Sequence, residues 1–224
     1  MTKTYAIPDL HGRFDLLRYA ISTIQSRAPK RGYTVVFLGD FIDRGPNSSA
    51  VIERMLRGPE DKATWICLKG NHEEMMRLAG DPQMGDLWLR NGGEETLASY
   101  PDQMVPIAHM KWLADLKLFH TDEHRVYVHA WIDRNLDLET QNPDKLLWER
   151  YRRDDQGGYR GRFVVHGHTP SVDGPHEFDG RLALDTLAWK TGRLPIAVFD
   201  DKIAGGPIEY LGVQMPDALL EPGA

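Results

Sequence analysis

Short runs of β-branched and aromatic residues recur along the chain, and most stop at a polar residue rather than at a plain turn. Residues 4–7, 33–38, 64–68, 125–128, 162–165 and 181–184 each read as a strand, with two more at 196–199 and 208–213. Between the early ones apolar residues return every three or four positions. Phe14, Leu17, Ile21 and Ile24 share one helical face, and Val51, Ile52, Met55 and Leu56 share another. Ser48 or Ser49 is placed to cap the second of these helices, and residues 107–118 predict a third. A β-α-β-α-β start followed by strands in quick succession predicts an α/β protein whose second half is more antiparallel. No internal repeat interrupts the pattern, and 152–161 reads as a mobile surface loop rather than a domain linker.

Composition narrows the class. The 224 residues are expected to form one domain spanning 1–224, since α/β folds often exceed the usual ~150 residues per domain. A hydrophobic fraction of 41% supplies a packed core and excludes disorder. A net charge of −6, from 27 basic and 33 acidic side chains, argues against stable nucleic-acid binding, which needs a basic face. Cys67 is the sole cysteine, so no intramolecular disulfide can form; inside the apolar run 64–68 it reads as a small buried hydrophobe. The first residues run into a charged motif without an apolar signal region, and no stretch approaches the ~18 apolar residues of a membrane span. A cytoplasmic protein with no membrane partner is expected, and, with an acidic surface and no dimer motif, a monomer.

The strand ends collect an uncommon set of donors. In open α/β sheets ligands gather there, because loops from several strands converge. Asp9, His11, Asp40, Asn71, His129 and His168 offer oxygen and imidazole nitrogen, the mixture that suits manganese, iron, zinc or nickel. No thiolate joins them, which speaks against a structural zinc site. Each alone has an ordinary reading: Asp9 could cap a helix, Asn71 could serve a turn, and a histidine after an apolar strand could be a satisfied core residue. Six together are too many for one open catalytic ion and suit two, provided one carboxylate bridges; Asp40 is that bridge.

Four ordered motifs carry these residues: Asp9-Leu10-His11-Gly12, Gly39-Asp40-Phe41-Ile42-Asp43-Arg44-Gly45, Gly70-Asn71-His72-Glu73 and Gly167-His168-Thr169-Pro170. Weaker stretches are Trp88-Leu89-Arg90-Asn91-Gly92-Gly93 and Leu146-Leu147-Trp148-Glu149-Arg150. On these motifs the chain from Asp9 to Asp185 resembles the metallophosphoesterases of the phosphoprotein phosphatase family, in their compact bacterial and bacteriophage branch. The resemblance implies the calcineurin-like fold, two mixed β-sheets sandwiched between helices in four α/β/β/α layers. It implies two divalent ions, manganese first among the candidates, one held by Asp9, His11 and Asp40 and the other by Asp40, Asn71, His129 and His168. Direct attack of a metal-bridging hydroxide on phosphorus follows from it, with no phosphoenzyme. His72 is then the general acid, oriented and kept protonated by Asp43, while Arg44 and Arg150 grip the phosphate oxygens.

The family points first to a serine/threonine protein phosphatase, acting on phosphoproteins and small phosphate esters. Symmetrical diadenosine tetraphosphate hydrolases share the motifs and give the rival reading, with RNA phosphate processing a further variant. A catalytically degenerate metal-binding interaction module is the alternative of another class. Three departures bear on the choice. Pro8 stands where the first motif carries glycine, Trp131 follows His129 at a place usually taken by a small residue, and Leu187 replaces glycine after Asp185-Thr186. Trp131 could narrow the cleft, stack on an aromatic leaving group or pack outward. His166 reads equally as a support of the site or as a structural residue. Trp88 and Trp112 read as core, and His109, His120, His124 and His176 lie outside every motif.

Overall fold

The computed structural model describes residues 2–152 and 154–215. The chain opens with a parallel βαβαβ unit: β1 (Lys3–Ile7), α1 (Phe14–Arg27), β2 (Tyr33–Phe37), α2 (Ser48–Arg57) and β3 (Ala63–Cys67). A helical excursion follows, made of α3 (Asn71–Arg77), α4 (Pro82–Trp88), a turn (Leu89–Gly93) kinked at Gly92, α5 (Glu94–Ala98) and α6 (Ile107–Ala114). Next come β4 (Phe119–Thr121), β5 (Arg125–Val128), α7 (Pro143–Trp148), β6 (Phe163–His166), β7 (His176–Phe178) and β8 (Arg181–Ala183). Then follow α8 (Ala188–Thr191), β9 (Arg193–Asp200) and β10 (Glu209–Gln214).

Two mixed five-stranded sheets result, in the orders β10-β9-β1-β2-β3 and β4-β5-β6-β8-β7. Each has a parallel centre with antiparallel strands added: β9 and β10 in the first, β4 and β7 in the second. Side chains alternate across each strand, so one sequence serves two cores. Ala6, Val36, Tyr127, Val165, Leu182 and Phe199 meet between the sheets. Their neighbours Tyr5, Ile7, Val35 and Phe37 turn the other way, onto Leu16, Leu17, Ile24, Val51 and Ile52 of α1 and α2. On the far side Val126, Val128 and Val164 pack with Ile132, Leu146 and Tyr151. These clusters are the three seams of an α/β/β/α stack, the fold that the resemblance implies. Among the described residues, no helix is long and apolar enough to cross a membrane.

Several sequence expectations are corrected. The third helix ends at Ala114, not 118, because the chain turns extended to run beside the end of β3: Lys69 N donates to Lys117 O at 2.7 Å, and β4 follows. β4 and β7, three residues each, carry no apolar run long enough to announce a strand. The N-cap of α2 is Asn47, with no side-chain cap bond. Ser48 Oγ instead accepts from Asp43 N, and Ser49 Oγ donates to Ser99 O. Cys67 is only partly buried, though burial still pushes its thiol up to about 12. Within the expected surface loop, residues 154–161 are anchored: Tyr159 is buried, and Arg181 Nε donates to Asp155 O at 3.0 Å.

Candidate metal centre

The candidate donors stand where strands end. Asp9 and His11 follow β1, Asp40 to Arg44 follow β2, and Asn71 and His72 open α3 just after β3. His129 follows β5, and His168 follows β6. The backbone there is forced: His11, Asp40, Asp43, Arg44 and His168 all have positive φ, between 44° and 73°. A non-glycine residue in that region costs of order 1 kcal/mol or more, so neighbours must hold it. Glu73 does much of the holding. Its buried carboxylate accepts from Asp40 N, Phe41 N and Gly70 N at 2.8–2.9 Å, tying the loop after β2 to the loop after β3. Two motif glycines admit the carboxylates. A Cβ on Gly70 would lie 2.0 Å from Asp40 Oδ1, and one on Gly167 would lie 2.1 Å from Asp9 Oδ1.

Each histidine of the centre has one ring nitrogen committed to a carbonyl, which fixes its tautomer and leaves the other nitrogen as an acceptor. His11 Nδ1 donates to Ile42 O at 3.0 Å, His129 Nδ1 to Leu38 O at 2.8 Å, and His168 Nε2 to Trp148 O at 3.1 Å. The free nitrogens then converge on other acceptors. His129 Nε2 and His168 Nδ1 each lie 3.0 Å from Asn71 Oδ1. Asp40 Oδ1 lies 3.5 Å from His129 Nε2, while Oδ2 lies 3.5 Å from His11 Nε2. Lone pairs facing lone pairs in a buried site repel unless a cation sits among them. Asp40 belongs to two such groups, one with His11 and His72 and one with His129 and His168. Asp9 lies beside them, with both carboxylate oxygens 3.2 Å from the His168 N–H that donates to them.

Electrostatics has the same sense. Burial, followed by Asp185, raises Asp9 well above the usual carboxylate range, and burial, followed by Asp9 and Glu73, raises Asp40. Burial lifts Asp43 and Glu73 to about 7 and Asp185 to about 6. Burial also holds His11, His72 and His129 well below the ordinary imidazole value, and brings His166 to about 3 and His168 to about 4.

A pH dependence follows. The depressed histidines bind fewer protons folded than unfolded, so they favour folding as pH rises, an effect complete above about pH 6.5. The raised carboxylates bind more protons folded, so they oppose folding as pH rises, and Asp43 and Glu73 at about 7 continue after the histidines have finished. Chelator-treated protein is therefore expected to lose thermal stability between about pH 6.5 and pH 8. Added manganese should remove that loss by favouring the ionised carboxylates. A melting temperature independent of pH in chelator would contradict this balance.

His72 Nδ1 donates to Asp43 Oδ2 at 2.6 Å, which leaves Nε2 facing Asp40. Asp43 orients the ring, while burial and then the Arg44 guanidinium hold its pKa well below the ordinary imidazole value and oppose the protonated form that the sequence reading expects Asp43 to favour. Arg44 spans the centre, with Nη1 donating to His11 Nε2 at 2.9 Å and Nη2 to His72 Nε2 at 3.1 Å. Arg150 is exposed just after α7, and its charge is felt by His168 and Asp185.

The departures and the undecided residues also find places. The Trp131 ring packs toward Tyr151, 6.2 Å away, and carries the Lys145 ammonium at 5.1 Å. Leu187 takes the left-handed conformation that the missing glycine would favour, at φ 58°, and its N–H donates to Asp185 Oδ1. His166 is buried, its Nε2 accepts from Arg181 Nη1, and its ring lies on Tyr151. Two residues near the centre had no role at the site in the sequence reading, which took Trp88 as core. Trp88 donates its indole N–H to Asp43, and Thr96, with no motif signal at all, donates its hydroxyl to the same carboxylate.

The comparisons with known proteins agree with this geometry. A family model described as calcineurin-like phosphoesterase matches residues 2–199. Serine/threonine-protein phosphatase 1 of Salmonella typhimurium is 26% identical over 209 residues, which cover 86% of this chain and 90% of that protein. The asymmetrical bis(5'-nucleosyl)-tetraphosphatase PrpE of Bacillus subtilis is 31% identical over 207 residues, covering 80% of this chain and 84% of that protein. A solved metallophosphoesterase from Sphaerobacter thermophilus shares the fold, with a TM-score of 0.62 at 15% identity over 98% of this chain and 91% of that one.

Proposed function

The chain belongs to the calcineurin-like phosphoesterase family, as a metal-dependent phosphoric ester hydrolase, and from that premise we propose that it is a serine/threonine protein phosphatase using two manganese ions. The observation that carries the metal chemistry is Asp40, whose two oxygens serve two separate groups of acceptors. Asp9, His11 and Asp40 would hold one ion, and Asp40, Asn71, His129 and His168 the other. When bound, the ions supply Lewis-acid polarisation of the phosphate and a water-derived nucleophile at neutral pH.

The rest falls to this chain's side chains. Arg44 turns its two Nη groups from the histidine nitrogens to the phosphate oxygens, a planar pairing that suits guanidinium, and Arg150 approaches from the rim. A phosphate dianion beside His72 replaces the guanidinium as its nearest charge and favours the protonated ring. His72 then gives the Nε2 proton to the leaving oxygen while Asp43 holds Nδ1.

The protein phosphatase reading is supported by the Salmonella relative and by Trp131, whose ring is engaged by Tyr151 and Lys145 rather than offered to a base. The PrpE relative keeps a nucleotide substrate as the second reading, of the asymmetrical kind its name states. Against the degenerate module stands the intact His72–Asp43 pair beside Arg44. The test gives manganese-loaded protein a phosphothreonine peptide and diadenosine tetraphosphate in parallel, reading inorganic phosphate from the peptide and AMP plus ATP, or ADP, from the nucleotide. Faster turnover of the peptide is expected; faster nucleotide cleavage would overturn the choice.

A further inference from the structure

We propose that Thr96 and Trp88 are positioning residues for proton delivery, fixing the Asp43 carboxylate so that His72 Nε2 stays aimed at the leaving oxygen. The inference rests on the reading of His72 as the proton donor. Asp43 is fully buried, and its carboxylate is completely spoken for. Oδ1 accepts from Thr96 Oγ1 at 2.7 Å and from Trp88 Nε1 at 3.0 Å. Oδ2 lies 3.1 Å from the same Nε1 and accepts from His72 Nδ1 at 2.6 Å. Two donors on one side stop the carboxylate rotating, so the bond to Nδ1 sets the plane of the imidazole.

The backbone is clamped as well. Asp43 N donates to Thr96 Oγ1 at 2.9 Å and to Ser48 Oγ at 3.1 Å, which steadies a residue held at φ 73°. The hydroxyl of Thr96 thus binds Asp43 twice, as acceptor from its N–H and as donor to its carboxylate. Both helper side chains come from one segment, the α4–α5 stretch, with a turn between the helices that kinks at Gly92, φ 107°. That turn brings Gly92 so close that a Cβ there would lie 2.3 Å from Arg44 N. A glycine outside the helical region breaks the regular spacing of side chains between the two helices. Here the break lets Trp88 and Thr96, eight positions apart in sequence, reach the same carboxylate.

A donor's orientation matters most when the leaving group is a poor one, because a good leaving group departs without a proton. The test compares an alkyl phosphate with dinitrophenyl phosphate in manganese-loaded wild type, Thr96→Val, Thr96→Ser, Trp88→Phe and His72→Asn, with bound metal measured in each. Thr96→Val and Trp88→Phe are expected to lose about tenfold to a hundredfold in kcat on the alkyl ester and less than about threefold on the aryl ester, with bound metal unchanged. Thr96→Ser, which keeps the hydroxyl, should restore the alkyl rate. In chelator-treated protein, the downfield N–H resonance that His72→Asn removes should shift in Thr96→Val, a readout independent of turnover. Equal losses on both esters, lost metal or an unmoved resonance would overturn the proposal. If His72→Asn itself slows both esters equally, the donor reading fails and the proposal with it; if only the helper variants lack the contrast, the proposal alone fails.

Discussion

Asp40→Asn is expected to lower phosphate release by about a thousandfold or more and to empty both metal positions together. The magnitude follows from the several kcal/mol of charge stabilisation that bound ions give a phosphoryl transition state, at about 1.4 kcal/mol per factor of ten. The coupling follows from geometry, since Oδ1 faces His129 and Oδ2 faces His11, so one substitution weakens both groups. The fold should survive. Asp40 Oδ1 accepts from His72 N at 3.1 Å, a bond that an asparagine oxygen can keep, and the substitution removes a buried carboxylate whose charge is disfavoured there. Chelator-treated Asp40→Asn should accordingly melt no lower than chelator-treated wild type near pH 8. Metal analysis and thermal melts on the same samples check both statements, and two normally bound ions in the variant would contradict the bridging role.

His72→Asn should behave differently. Turnover of an alkyl phosphate is expected to fall by about a hundredfold to ten-thousandfold, the usual worth of a positioned proton donor, while both metals remain. His72 is grouped by position with His11 and Asp40, so it could be taken for a ligand. Its bonding argues otherwise: Nδ1 is committed to Asp43, and Nε2 lies 3.9 Å from Asp40, farther than the 3.5 Å of His11 or His129. Loss of one ion in His72→Asn would make it a ligand, and unchanged turnover would remove it from the chemistry.

The six candidate donors stand out in the sequence because each follows a short run of β-branched and aromatic residues, and the run that makes a strand also marks where its end delivers a side chain. Which face each strand residue takes was not legible, since Tyr5, Ala6 and Ile7 on β1 are all apolar and divide between two cores only in the fold. Contacts between distant segments were not legible. Thr96 meets Asp43 across 53 residues and sits in a five-residue helix with no apolar stripe. Trp88 was read as core, and its ring does join the helix-side cluster, but its N–H reaches Asp43 beside a kink at Gly92 that leaves no mark in hydrophobic spacing. What opposes protonation of His72 was not legible for a similar reason. The sequence puts Asp43 beside it, whereas burial and the Arg44 guanidinium are facts of three-dimensional neighbourhood. The short strands β4 and β7 were missed because three residues cannot display a period.

A titration of chelator-treated protein with manganese, reading bound ions per chain and phosphate released from a phosphothreonine peptide in the same samples, meets the central claim most directly. The account predicts two ions per chain at saturation, with release that rises with occupancy and stops on chelation. Two bound ions without release from the peptide, or full release from chelated protein, would contradict it.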